Sequence, residues 1–252
     1  MKFHRKFRYA SAVASFLSYF YKKKNNAILL YHSIRKMDFN IDNNLDVVDI
    51  DIFSNQMKLL SSNKDFENRI CPLSLNLKKH GSISITFDDG YLDNIENVFP
   101  IINKYNIPIT IFICIDLIGK DGYLKKSDIE FLSKQKNITI GSHSFLHKPL
   151  ENIEISQAKE DLFKSKNILQ DITNKKTNLF SYPHGSFNNE ILDMIKKNNI
   201  FDIACCSINK TFVPNNITKF LLPRIPIWYL DNQKSFLNKL NSYWDWISYL
   251  NK

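Results

Sequence analysis

The chain has 252 residues, 44% apolar and 13% aromatic, and carries 34 Lys and Arg against 25 Asp and Glu, a net charge of +9. That is enough apolar material for one large domain or two small ones. The four cysteines (Cys71, Cys114, Cys205, Cys206) have no C-x-x-C spacing, which supports neither a disulfide framework nor a cysteine metal site and points to buried thiols. The positive charge suits an anionic partner, or reflects habitual use of Lys and Asn. The arginine–aromatic interleaving of a nucleic-acid surface is absent, so no nucleic-acid partner is expected.

Residues 1–26 are set apart from a domain spanning 27–252, because basic "MKFHRKFR" is followed by apolar "YASAVASFLSYFY" and then "KKK". A stretch of thirteen residues is too short to span a bilayer, which takes about 20. The segment reads as a membrane-surface helix making peripheral membrane contact, with a signal sequence or a helix packed on the domain as alternatives. From Ala27 onward strand and helix signals alternate. "AILLYHSI" is a buried strand, and "DIDIFSNQMKLLSS" a helix with Asp49 or Asp51 as its cap. "SISITF" is a strand, and Tyr91–Tyr105 a helix that Pro100 must kink or split. "IPITIFICI" and "NITIGSH" are strands, and "ISQAKEDLFKSKNILQDI" has the clearest 3.6-residue period. Strand "TNLFSYP", helix "NEILDMIKKNN" and strands "FDIACCS" and "KFLLPRIPI" complete the series. With six glycines and eight prolines, the sequence shows neither a linker nor an internal repeat. Alternation with near-continuous apolar strands predicts a parallel sheet covered on both faces, a barrel or a doubly wound fold.

In either fold, functional residues collect at the C-terminal ends of strands. There the sequence places His32, Asp88–Asp89, His143, Tyr182–His184 and Arg224. Two adjacent aspartates at the end of a buried strand repel each other and require a counter-charge. His143 and His147, four apart, would point the same way on a helical turn or a tight loop, and two imidazoles with one carboxylate make a facial site for a divalent metal. The expected counter-charge is therefore a metal ion, most simply Zn2+, although cobalt, nickel or iron suits the same ligands. One aspartate would bind it while the other takes a proton from metal-bound water, which describes a hydrolytic site.

"TFDDG", "HSFLH" and "SYPHG" resemble the first three motifs of the polysaccharide deacetylases, the NodB homology domain of carbohydrate esterase family 4, over roughly Ala27 to Ile227. "AILLYHSI", "IPITIFI", "FSYPHGSFN" and "LLPRIPI" are similar to the poly-N-acetylglucosamine deacetylase subgroup. The resemblance implies a distorted (β/α)7 barrel that removes acetyl groups from N-acetylated sugars. It also implies Asp88 as general base and Asp89, His143 and His147 as metal ligands, usually to zinc. Ser144 matches the small hydroxyl residue between the histidines. Tyr182, Pro183, His184 and Gly185 match a motif that lines the groove and offers a backbone N–H to the oxyanion.

The chain departs from this pattern twice. The arginine that opens the third motif is Ser181 here, so Arg224 is a candidate to supply the guanidinium, against the alternative of a surface ion pair. The late Leu-x-His that protonates the leaving amine is missing, which leaves His184, His32 or the protonated Asp88 as the acid. Asp93, Asp116 and Asp128 read as caps and solvated groups. Trp228, Trp244 and Trp246 are candidates to stack on sugar rings, with the last two, alongside Tyr243, Ile247 and Leu250, expected rather to anchor a C-terminal helix. The expected function is deacetylation of a surface polysaccharide or lipid-linked saccharide at the cell envelope or a membrane surface, with the cytoplasmic face left open. The alternatives are a metal-dependent phosphohydrolase and a non-catalytic glycan-binding relative.

Overall fold

A computed structural model describes residues 25–38, 44–74, 81–213 and 217–245, together with Val13 and Phe16. Most of the N-terminal segment 1–26, and Trp246, Ile247 and Leu250, lie outside the described residues. The chain runs β1 (Ala27–Tyr31), β2 (Ser33–Arg35), β3 (Val47–Asp49), α1 (Ile50–Ser62), α2 (Lys64–Glu67), β4 (Ile83–Phe87), α3 (Phe99–Lys104), β5 (Ile109–Ile113) and α4 (Lys126–Ser133). It continues with β6 (Ile138–Ser142), α5 (Ile155–Thr173), β7 (Leu179–Ser181), α6 (Asn189–Asn198), β8 (Ile203–Cys206), β9 (Leu222–Pro223), β10 (Ile225–Pro226) and α7 (Gln233–Leu240). Among the described residues no helix is long and apolar enough to cross a membrane.

The large sheet has the order β10-β1-β4-β5-β6-β7-β8-β9, and its neighbours pair in parallel. Its two edges are consecutive in sequence and are separated only by Arg224. Leu222 and Pro223 pair with Cys205 and Cys206, while Ile225 and Pro226 pair with Leu29 and Leu30. Residues 222–226 are thus one strand that changes partner at its centre and closes the sheet covalently. Counted this way the barrel has seven strands, the distorted (β/α)7 barrel. The single strand expected over "KFLLPRIPI" is corrected to two short ladders, and Pro223 and Pro226, having no N–H to donate, keep each half from extending.

Strand parity decides what reaches the barrel interior. Leu29, Tyr31, Ile85, Phe87, Ile109 and Ile111 face outward and pack under the helices, each fully buried side chain worth about 1.5–3 kcal/mol. Ile28, Phe112, Leu179, Ile203, Cys205 and Leu222 meet across the inside. Ser84 and Thr86 share the inward parity of β4, and Asp88 continues it. His143, Ser181 and Arg224 do the same on β6, β7 and the closing strand. Gly141 is small because a Cβ there would lie 2.5 Å from the Phe112 ring, which fills the barrel beneath Arg224.

Three local expectations are refined. "AILLYHSI" breaks at His32, after which β2 leaves the barrel to pair with β3. Asp49 rather than Asp51 caps α1, its Oδ1 accepting the Asp51 N–H at 2.9 Å. The split at Pro100 takes the form of a π turn over Asn94–Val98 leading into α3, in which the Phe99 N–H reaches back to the Asn94 carbonyl. The wider turn accommodates a proline that lacks an N–H and whose ring would collide with the preceding carbonyl. All four cysteines are free thiols.

Candidate metal and catalytic site

The site is built at the strand exits. The Asp88 N–H donates to the Tyr31 carbonyl at 3.0 Å, continuing the β1–β4 ladder, and the chain then turns sharply through Asp89 (φ 74°) and Gly90 (φ 81°). A Cβ at Gly90 would lie 2.8 Å from the Ile113 side chain, so this turn needs glycine for its φ and for space. His143 is tied to β5 by its N–H on the Ile113 carbonyl at 2.8 Å. The i, i+4 pair sits on a tight loop rather than a helix. Ser144 and His147 both have positive φ, and the Ser144 Oγ accepts the His147 N–H at 3.1 Å.

That loop brings His143 Nε2 to 3.3 Å and His147 Nε2 to 2.9 Å from Asp89 Oδ1, and the three ligand atoms all lie within 4.8 Å of one another. His143 Nδ1 is 2.8 Å from the Ser181 carbonyl, which can only accept, so Nδ1 carries the proton and a neutral His143 turns a lone pair toward Asp89. Asp89 Oδ1 is buried with no hydrogen-bond donor aligned on it. A buried carboxylate oxygen flanked by two imidazole nitrogens fits a divalent cation. Burial alone would raise the Asp89 carboxyl, but the two imidazoles outweigh it and hold the group well below the usual carboxylate range. Burial likewise opposes charging of His143, yet the Asp88 and Asp89 charges raise its pKa. The pocket favours positive charge.

Asp88 is held differently. Arg224, fully buried, grips it with Nη1 on Oδ1 at 2.7 Å and Nη2 on Oδ2 at 2.6 Å. Ser181 Oγ donates to Asp88 Oδ2 at 3.0 Å and accepts Arg224 Nη2 at 2.8 Å, while Thr86 Oγ1 accepts Nη1 at 3.3 Å. The surface ion pair weighed as the alternative for Arg224 is thereby overturned. Burial raises the Asp88 carboxyl, the Arg224 charge lowers it further than that, and the net result lies below the ordinary value. Asp88 is therefore ionised near neutrality. Sequence reasoning missed Thr86 and the Ser181 hydroxyl as part of this clamp, although both share the inward parity of Asp88.

The other predicted residues divide. His32 stands abreast of Asp88 through the Tyr31–Phe87 register, about one-fifth exposed, with Nδ1 3.9 Å from Asp46 Oδ1. His184 is exposed, its ring centroid 4.6 Å from that of His147 and its Nε2 3.2 Å from the His147 carbonyl. The groove-lining expectation for Tyr182 and Pro183 is corrected. Tyr182 has outward parity, its ring packs edge-on against Phe180, and its N–H donates to the Cys205 carbonyl, while Pro183 is also buried. Gly185 serves the turn, having φ 68° and no room for a Cβ beside Ser207. Trp244 is buried against Trp228, so it cannot stack on a sugar. Asp116 pairs with Lys120 at the surface, and Asp128 accepts the Lys125 N–H at the start of α4, as expected of a solvated group and a cap. Asp93 is neither: it ties β2 down, accepting Ser33 Oγ at 2.5 Å and the Ile34 N–H at 3.0 Å.

A family described as "Polysaccharide deacetylase" matches residues 76–201, half the chain. The Bacillus subtilis protein YxkH, named as a candidate polysaccharide deacetylase, is 31% identical over 175 residues, covering 68% of this chain and 60% of YxkH. The chain thus spans 60% of that relative's length, less than two thirds. A poly-beta-1,6-N-acetyl-D-glucosamine N-deacetylase of Staphylococcus aureus is 29% identical over 239 residues, covering 81% of this chain and 80% of the relative. Among solved structures, the deacetylase PplD of Streptococcus pyogenes, determined in complex with acetate, superposes with a TM-score of 0.73 at 22% identity over 86% of this chain and 98% of that one. A candidate polysaccharide deacetylase of Bacillus anthracis gives 0.75 at 23% identity over 86% and 69%. At these identities the structural likeness speaks to the fold.

Proposed function

The chain belongs to the polysaccharide deacetylase family, and on that premise we propose that it is a metal-dependent hydrolase that removes N-acetyl groups from an amino-sugar polymer of the cell envelope, releasing acetate. The observation that carries the reading is the buried Asp89 oxygen facing the Nε2 atoms of His143 and His147, beside an Asp88 clamped by Arg224. Asp89, His143 and His147 would hold the ion, with zinc the default for this donor set. A divalent ion there supplies Lewis acidity, polarising the amide carbonyl and making water more acidic.

The protein's own groups supply the rest. Asp88 takes a proton from the attacking water, and Arg224 and Ser181 fix both of its oxygens so that it meets that water in one orientation. Of the four residues Tyr182–Gly185, Pro183 has no N–H, the Tyr182 N–H is given to Cys205 and the Gly185 N–H to Tyr182. The family's third motif offers a backbone N–H to the oxyanion, and we assign that role to the His184 N–H. The leaving amine needs a proton, and His32 is favoured to give it. It lies beside Asp88 with Nδ1 turned to Asp46, whereas Nε2 of His184 is engaged with the His147 carbonyl. A cleft of about 390 Å3, bordered by Asp46, Tyr91 and Glu96, lies on the Asp46 side of His32 and gives a neighbouring sugar ring somewhere to sit.

A phosphohydrolase would need a free cationic clamp for phosphate. Among the described residues the one fully buried guanidinium, that of Arg224, has both Nη atoms on Asp88, which disfavours that alternative. The test is acetate release from N-acetylglucosamine oligomers with and without chelator. Acetate that disappears with chelator and returns with Zn2+ supports the reading, phosphate release from a phosphorylated substrate would replace it, and no release from any oligomer would leave a glycan-binding relative.

A further inference from the structure

The loop that presents the two histidines is locally unfavourable. Ser144 (φ 65°) and His147 (φ 55°) both occupy the left-handed region, which costs of order 1–3 kcal/mol per residue bearing a side chain. Such a loop keeps its shape only where its surroundings over-determine it. On one face the Phe145 carbonyl accepts the Asp116 N–H at 2.9 Å and the Cys114 thiol at 3.3 Å. On the other stands Asp161, in the second turn of α5 between the buried Ala158 and Leu162. Its Oδ1 accepts the Phe145 N–H at 2.8 Å and its Oδ2 the Leu146 N–H at 3.1 Å.

These are two of the three N–H groups between the histidines, and Ser144 Oγ takes that of His147 itself. Asp161 is 9% exposed and, among the described residues, has no cation within salt-bridge distance; the nearby Lys164 Nζ sits over the Phe145 ring at 4.2 Å. A buried carboxylate without a close counter-ion is costly unless hydrogen bonds compensate it. The loop's two amides supply those bonds, so carboxylate and loop conformation support each other. Neither a shorter side chain nor an amide reproduces this. Asparagine has one acceptor oxygen and would turn an NH2 toward the second N–H.

We infer that Asp161 is a positioning residue of the metal site: by fixing the arc from Ser144 to His147 it sets the geometry in which both imidazoles face Asp89, and hence the affinity for the ion. This rests on the reading of Asp89, His143 and His147 as ligands. The experiment is a Zn2+ titration of the full chain against a competing chelator, with Co2+ absorption as a second readout and the melting temperature of metal-free protein as the fold control. Asp161→Asn should weaken Zn2+ binding about 10- to 100-fold, the usual effect of removing a group that orients metal ligands. It should also change the Co2+ spectrum, while Asp171→Asn, at an exposed position of the same helix, changes neither. Asp161→Glu keeps two acceptor oxygens and should fall between wild type and the Asn variant. It also keeps the test open if Asp161→Asn does not fold, because the Glu variant must then still bind several-fold more weakly than wild type. Wild-type affinity and spectrum in the folded variants would overturn the inference, as would equal weakening in the Glu and Asn variants that tracks a lowered metal-free melting temperature. A wild-type chain that binds neither Zn2+ nor Co2+ would instead overturn the metal reading beneath it.

Discussion

Two buried ion pairs sit at the closing seam of the barrel and are built to different ends. Arg224 and Asp88 interlock by two parallel bonds, and Ser181 and Thr86 complete the arrangement, so that both Asp88 oxygens are held. Lys239 and Asp231, equally buried, meet through a single oxygen at 2.5 Å. Lys239 also donates to the Pro226 carbonyl at 2.7 Å and lies over the Trp228 ring at 4.1 Å and the Trp244 ring at 4.9 Å, while Asp231 Oδ1 has no partner. The planar fork fixes orientation, which a reacting carboxylate needs. The point charge fixes only proximity, which suffices to pin α7 and the residues after it onto β10.

The largest effects should separate the two. Arg224→Met leaves the Asp88 charge buried without a partner and is expected to lower stability by about 3–5 kcal/mol and to abolish measurable acetate release. Asp88→Asn should keep the fold but cut kcat by about 10²–10⁴, the range for losing a positioned base. Adding Asp88→Leu to Arg224→Met should recover stability in urea unfolding without recovering activity. Activity in that double variant would mean that Asp88 is not the base.

The seam pair should behave the other way. Lys239→Met alone is expected to cost about 3–5 kcal/mol, because Asp231 is then an uncompensated buried charge. With Asp231→Leu added, most of the loss should return, and kcat per folded molecule should match wild type throughout. A fall in kcat that persists in the restored double variant would show that α7 communicates with the site.

What could be read in the chain follows the same division. The covered parallel sheet was legible because continuous apolar strands and their spacing are local properties, whereas its closure into a barrel came from the family resemblance; the candidate metal ligands were legible because short motifs carry them. The Arg224–Asp88 bond joins residues 136 apart, so only the absence of an arginine at Ser181 hinted at it. Parity would have shown Tyr182 pointing outward had the strand been numbered from Ser181. The partner change at Arg224 could not be read, since it depends on how many strands complete the circle. Asp161 was hidden as one acid among several on an amphipathic helix. Its one signal was a carboxylate beside the apolar stripe of Ala158 and Leu162.

The third cationic element is the proposed ion itself, and it should act on stability by mass action. Zn2+ at about 100 times its dissociation constant should add roughly 2.7 kcal/mol to wild type. His143→Ala should lose that increment, whereas Arg224→Met, if folded, should retain much of it, because Arg224 holds Asp88 and not the triad. Equal stabilisation of wild type and His143→Ala would place the ion elsewhere.

Asp93 completes the comparison as a largely buried carboxylate whose bonds come from neutral donors: Ser33 Oγ, the Ile34 N–H and Asn94 Nδ2. With hydrogen bonds in place of an interlocked cation, burial dominates and pushes its pKa up to about 6. A folded-state pKa raised above the unfolded value gives stability that is fully present below the unfolded pKa, near pH 4, and is lost as pH rises through about 6. The expected loss is roughly 3 kcal/mol. Asp93→Asn, which cannot ionise, should therefore show a flatter stability profile between pH 4.5 and 7.5 and gain on wild type at the upper end. The readout is urea unfolding at several pH values. Parallel profiles for the two proteins would mean that Arg35, the nearest positive charge on β2, already compensates Asp93 as Arg224 compensates Asp88.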